Sequence, residues 1–167
     1  MYYRTAIHHC RLGLSKMVAK CIAIGNRIMG DDGIGIEVAE KLSPRLKEEQ
    51  IELIFGETDI DYALGKIEDG DLLFIIDSTY FGLSPGTVTF TPIGEVTRQQ
   101  HQMYSQHQPS LIHLLKTYEK EVKGFIIGIE VEKIDFSLEL SGTLKTRFLF
   151  ICEEVYRFIC QRRFHHA

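Results

Sequence analysis

The chain lacks most of the features that would tie it to a common class. Its 19 Lys and Arg stand against 23 Asp and Glu, a net charge of −4. The basic excess of a nucleic-acid-binding domain is therefore missing. No apolar run approaches the roughly 18 residues of a membrane helix; the densest covers residues 72–76. Neither nucleic acid nor membrane is expected as a partner. Four cysteines, Cys10, Cys21, Cys152 and Cys160, fit no zinc spacing and no CxxC redox pair. They read as reduced thiols of a cytoplasmic protein. Residues 1–17 hold Arg4 and Arg11 but no continuous apolar segment, so they do not read as a signal peptide. They read as a poorly packed extension, with Met17 as an alternative start. There is no repeat, low-complexity tract or domain linker.

What is present is an ordinary globular composition. Hydrophobic residues are 44% and charged residues 25% of 167, enough to bury one core without staples. A single domain over residues 18–167 is expected. Residues 18–25 form a short apolar run ending in glycine, a buried strand. Ile34, Val38, Leu42 and Leu46, with Ala39 beside them, recur at helical spacing. Asp31 or Asp32 would cap that helix. Residues 51–55 read as a second strand and 59–68 as a short helix. Residues 71–77 are a third strand, apolar through its middle and hence buried on both faces.

Pro85-Gly86 marks a turn, and residues 87–91 alternate like an edge strand. The connection from Asp77 is too short for a helical crossover, so this strand should run antiparallel to the third. Residues 94–108 read as a long polar loop. Pro109 opens a helix carrying Leu111, Ile112, Leu114, Leu115 and Tyr118. Residues 125–129 are a fifth strand and 130–140 a second irregular loop. A last helix from near Ser141 carries Leu144, Phe148, Ile151, Cys152, Val155 and Ile159 on one side. Arg162 and Arg163 near its end complement the helix dipole. The expected fold class is α/β: three layers, α/β/α, around a twisted, mostly parallel five-stranded sheet with one antiparallel edge strand.

The sharpest local feature is Gly25-Asn-Arg-Ile-Met-Gly-Asp-Asp-Gly-Ile-Gly35. It sits where a phosphate-binding turn would, but contains neither GxGxxG nor GK[ST]. Asp31 and Asp32 would repel a phosphate and favour a cation or a proton donor. One aspartate suffices as a cap, for about 1 kcal/mol; two among Gly30, Gly33 and Gly35 exceed that need. Asp77 closes the third strand, and open α/β sheets bind ligands beyond the carboxyl ends of their strands. If the first and third strands are neighbours, Asp32 and Asp77 face one crevice.

His107 stands at a loop-to-helix junction, able to project into a cleft. His101 reads as solvated, and His113, among apolar residues, as a core or boundary histidine. Two carboxylates and an imidazole make an open, oxygen-rich site for a divalent transition metal, with positions left for a partner's ligands. There is no HExxH and no GxSxG, so a self-contained zinc or serine hydrolase is disfavoured.

These residues together resemble the nickel–iron hydrogenase maturation endopeptidases. The stretch 25–35 is similar to that family's opening signature. In order follow residues 73–79, Gly82-Leu-Ser-Pro-Gly86, the histidine segment 105–115, and Ile127-Gly-Ile-Glu130 with Leu140-Ser141. The branch that processes the large subunit of the formate-linked, hydrogen-evolving enzyme is the most similar. The resemblance implies removal of a short C-terminal peptide from a large-subunit precursor after nickel insertion. It implies that Asp32, Asp77 and His107 contact nickel that belongs to the substrate. No organic cofactor is implied, and a monomer is expected.

Two departures stand out. Asp32 occupies a position where Glu is common, and Val131 one where Pro is. The charged and apolar loop 132–140 bears on which precursor is recognised. Ile28, Met29, Tyr80 and Phe81 are loop residues that could dock it. Besides a related protease-like protein acting on a substrate other than a hydrogenase, two alternatives remain at this level. One is a non-catalytic nickel- or precursor-binding chaperone. The other is a phospho-receiver-like magnesium-binding domain, which the absence of Lys at the fifth strand's tip disfavours.

Overall fold

The computed structural model describes residues 18–96 and 108–165. The extension at 1–17, the alternative start at Met17, Cys10, His101 and His107 lie outside the described residues. Five strands form one sheet: β1 (Ala19–Ile24), β2 (Glu52–Glu57), β3 (Leu72–Thr79), β4 (Val88–Pro92) and β5 (Lys123–Glu130). Their order is β2-β1-β3-β5-β4. The first four in that order are parallel, and β4 is the antiparallel edge. This is the expected three-layer α/β architecture.

Strand alternation splits the core in two. Phe74 and Ile76 of β3 face α1 (Ile34–Glu48) and α4 (Gly142–His165). Leu73 and Ile75 face α2 (Ile60–Gly65) and α3 (Gln108–Thr117). With helices on both sides, all eight residues of β3 are buried, as its unbroken apolar run requires. The helical stripes hold: Ile34, Val38, Ala39, Leu42 and Leu46 on α1, and Leu144, Ile151, Cys152, Val155 and Ile159 on α4, are all buried. Arg163 at the end of α4 reaches Glu49 beyond α1 at 2.7 Å. Arg162 lies 5.2 Å from the centroid of the Phe125 ring.

Several local expectations need correction. β4 runs opposite to β3, but its partner is β5. The edge of β3 away from β1 is already occupied by eight parallel pairs with β5, so β4 joins outside. The turn before it is registered on β5 by Gly86 N–H to Glu130 O (2.7 Å) and Glu130 N–H to Thr87 O (2.9 Å). α2 is shorter than expected; Asp59 caps it by accepting the Tyr62 N–H, and it stops at Gly65. His113 is exposed, because it falls off the stripe made by Leu111, Ile112 and Leu115.

Neither Asp31 nor Asp32 caps α1. Gly33 occupies the N-cap position, preceded by a 3-10 turn over Gly30–Gly33. Both carboxylates are drawn to other elements instead, as described below. Cys21, Cys152 and Cys160 are free thiols, the first two buried. Among the described residues, no helix is long and apolar enough to cross a membrane.

The topology creates one switch point. β1 connects through α1 to β2 on one side, while β3 lies on its other side and leads on toward β5. The carboxyl ends of β1 and β3 therefore mark the switch-point crevice, the place where open α/β sheets bind ligands. The loop after β1 and the last residues of β3 border it.

Candidate active site at the carboxyl edge of the sheet

Two glycines bring the acidic loop down onto this crevice. Gly25 has φ +139°, and a Cβ there would lie 2.1 Å from the Asp32 carbonyl oxygen. Only glycine lets the loop close on itself so tightly. A Cβ at Gly35 would lie 2.9 Å from the Ile76 carbonyl and 3.0 Å from that of Ile24. The first turn of α1 thus rests on the tips of β1 and β3 together, with Asp32 immediately before it.

The structure brings Asp32 and Asp77 together through Ser78. The Ser78 hydroxyl donates to Asp32 Oδ1 at 2.6 Å. The Ser78 N–H donates to Asp77 Oδ1 at 2.7 Å. Asp77 and Ser78 are fully buried and Asp32 nearly so. The expected condition, that the first and third strands are neighbours, is met. By strand alternation Asp77 sits on the face of Leu73 and Ile75, which α3 also covers. His107 immediately precedes α3 in sequence and is outside the described residues.

Asp31 has a different task. Its Oδ2 accepts the N–H groups of Glu132 (3.0 Å) and Lys133 (3.3 Å), and its Oδ1 that of Ser141 (2.6 Å). It ties the acidic loop to both ends of the 131–141 loop. Backbone bonds add to this: Gly30 N–H to Ser137 O (2.8 Å) and Ser137 N–H to Ile28 O (3.1 Å).

Glu130 does the same for the segment after Asp77. This buried carboxylate accepts from Thr79 Oγ1 (3.0 Å) and from the N–H groups of Phe81 (2.9 Å), Gly82 (2.7 Å) and Leu83 (2.9 Å). Four donors match the four lone-pair sites of a carboxylate. In the sequence, Glu130 and Ser78 stand out only as parts of longer stretches. Their signal was present: a Glu ending an apolar strand, and a hydroxyl directly after a strand-end aspartate.

Apolar side chains rim the crevice loops. Tyr80 is 65% exposed, Phe136 80% and Leu138 76%; Ile28 and Ile134 are each 46% exposed. Of the suggested docking residues, Phe81 packs against the α2–α3 core, and Met29 is half-buried in a bridge with Ser137.

Fold and site define an open α/β protein with an acidic crevice at its switch point. The chain belongs to the hydrogenase maturation protease family, whose model matches residues 36–157. It is 28% identical over 149 residues to the hydrogenase expression/formation protein HupD of Thiocapsa roseopersicina, covering 84% of this chain and 66% of that one. The chain therefore spans about two thirds of the length of that relative. It is 27% identical over 128 residues to the hydrogenase 3 maturation protease of Escherichia coli K12, with 74% and 80% covered. Among solved structures, the fold matches the nickel–iron hydrogenase maturation protease HybD of Thermococcus kodakarensis. That match has a TM-score of 0.69 at 25% identity, covering 86% of this chain and 99% of that one.

Proposed function

We propose that this chain is an endopeptidase that removes a short C-terminal peptide from the nickel-loaded large-subunit precursor of a nickel–iron hydrogenase, of the formate-linked type. One observation carries the reading: two buried carboxylates from different elements, Asp32 and Asp77, meet through one serine at the switch point. The membership of the chain in the hydrogenase maturation protease family supports it.

In this reading the nickel arrives with the substrate, held by precursor thiolates. Asp32, Asp77 and His107 complete its coordination, hard oxygen and imidazole donors suited to a divalent transition metal. The metal then polarises the scissile carbonyl or activates a water beside it. Cleavage thereby tests whether nickel is present. The exposed Tyr80, Phe136 and Leu138 around the crevice suit a protein substrate rather than a small polar one. The protein acts as a monomer in the cytoplasm.

The test is incubation of the purified chain with nickel-loaded precursor, followed by intact mass. Loss of a short C-terminal peptide is the expected result. Tight binding of the precursor without any change in its mass would replace the protease by a chaperone.

A further inference from the structure

The family reading gives Asp32 and Asp77 a role but does not say what aims them at one point. In a β-strand, successive side chains leave opposite faces, so a carboxylate at the tip of β3 does not by itself meet one arriving with α1. Ser78 solves this with two donors from one residue. Its side chain leaves β3 on the α1 side and reaches Asp32 Oδ1 at 2.6 Å. Its N–H belongs to the edge of β3 that faces β1, and the β1–β3 pairing ends at Ala23↔Ile76. That N–H is therefore not taken by the ladder and instead binds Asp77 Oδ1 at 2.7 Å.

We infer that Ser78 is a positioning residue for the cleavage reaction, fixing one oxygen of each carboxylate so that both are presented together. The inference rests on the reading of Asp32 and Asp77 as the groups that contact nickel. The 2.6 Å hydroxyl-to-carboxylate distance lies in the range of charge-assisted O–H···O⁻ bonds. Ser78 is fully buried, so water cannot substitute for it from the surface. The serine adds no ligand of its own. It fixes one oxygen of Asp32 and one of Asp77, the role outer partners play around metal ligands.

The experiment compares wild type, Ser78→Ala and Ser78→Thr. Ser78→Ala deletes only the hydroxyl and keeps the N–H; Ser78→Thr keeps both donors. With nickel-loaded precursor, Ser78→Ala should lower kcat about ten- to a hundredfold, with KM within about twofold and the chain still folded at the assay temperature. Ser78→Thr should recover most of the lost rate. A second readout needs no activity: the side-chain carboxyl 13C resonance of Asp32, assigned with Asp32→Asn, should move in Ser78→Ala and stay in Ser78→Thr. The Asp31 resonance should stay in both. If wild type trims nothing but the Asp32 resonance moves as expected, the protease reading fails while the positioning geometry stands. Full activity of Ser78→Ala, an unmoved Asp32 resonance, or a Ser78→Ala chain that does not fold would each overturn the inference. In the last case the hydroxyl would be serving the fold.

Discussion

The two ends of the sheet bury their acids in different ways. At the amino end, Asp71 meets Lys20 at 2.7 Å, both almost fully buried. Lys20 also donates to the Lys66 carbonyl (2.6 Å), and Asp71 accepts the Glu68 N–H (2.7 Å). At the carboxyl end, Asp31 and Glu130 are held by backbone N–H groups and a threonine hydroxyl, and Ser78 donates to both Asp32 and Asp77. The amino end neutralises its acid with a cation inside the fold. The carboxyl end holds Asp31, Asp32, Asp77 and Glu130 through backbone N–H groups and the hydroxyls of Ser78 and Thr79. In the proposed function the carboxyl-end acids serve the chemistry, while the amino-end pair serves the fold. Substitutions can separate them.

The largest effect on stability belongs to the amino end. Asp71→Ala leaves Lys20 buried and unpaired, which should cost about 3–5 kcal/mol in urea unfolding, while activity per folded molecule stays at the wild-type level. Replacing the pair together, Lys20→Met with Asp71→Leu, should be neutral or stabilising by up to about 4 kcal/mol. A double variant as unstable as Asp71→Ala would show that the pair is not the unit that matters.

The carboxyl end should respond in the opposite sense. Asp77→Asn and His107→Ala should each slow trimming by about a hundredfold or more, above what loss of an outer partner costs, with little change in stability. Full processing by both variants would refute the assignment of the site. Between these extremes lies Glu130→Gln. Its amide turns an NH2 group toward donors that need an acceptor, an expected loss of about 1–3 kcal/mol. Faster hydrogen exchange should be confined to the amides of Phe81, Gly82 and Leu83.

The smallest effect concerns the thiols. Burial pushes Cys21 up to about 12 and Cys152 up to about 11. A raised folded-state value means that the stabilisation is complete below the ordinary thiol range, near 9.0. It is then lost as pH rises from there through 12. Unfolding free energy should therefore fall across that alkaline window, and Cys21→Ala should flatten the fall. At pH 8 peptide mapping should find Cys160 alkylated before Cys21 and Cys152.

Much of this was legible in the sequence, for identifiable reasons. Helical stripes and apolar strands follow from periodicity, and so do Ile34–Leu46 on α1 and Leu144–Ile159 on α4. Asp32 and Asp77 stand out because they interrupt glycine-rich and apolar surroundings at strand ends. The pairing partner of β4 was not legible, because chain direction follows from connection length but neighbour choice depends on which sheet edge is already filled. The caps are not legible because local spacing cannot show that Asp31 has N–H groups about a hundred residues away competing for it. Ser78 escaped notice for a related reason: its two bonds exist only once β1 and β3 are paired and α1 is seated on their tips. Lys20 in a buried strand is explained only by its partner, Asp71.

The most direct measurement sets nickel-loaded against nickel-free precursor, at equal concentration, with the wild-type chain, and follows the C-terminal trim by intact mass. If the carboxyl-end acids act on nickel carried by the substrate, only the loaded precursor is shortened. Equal trimming of both forms would contradict the account.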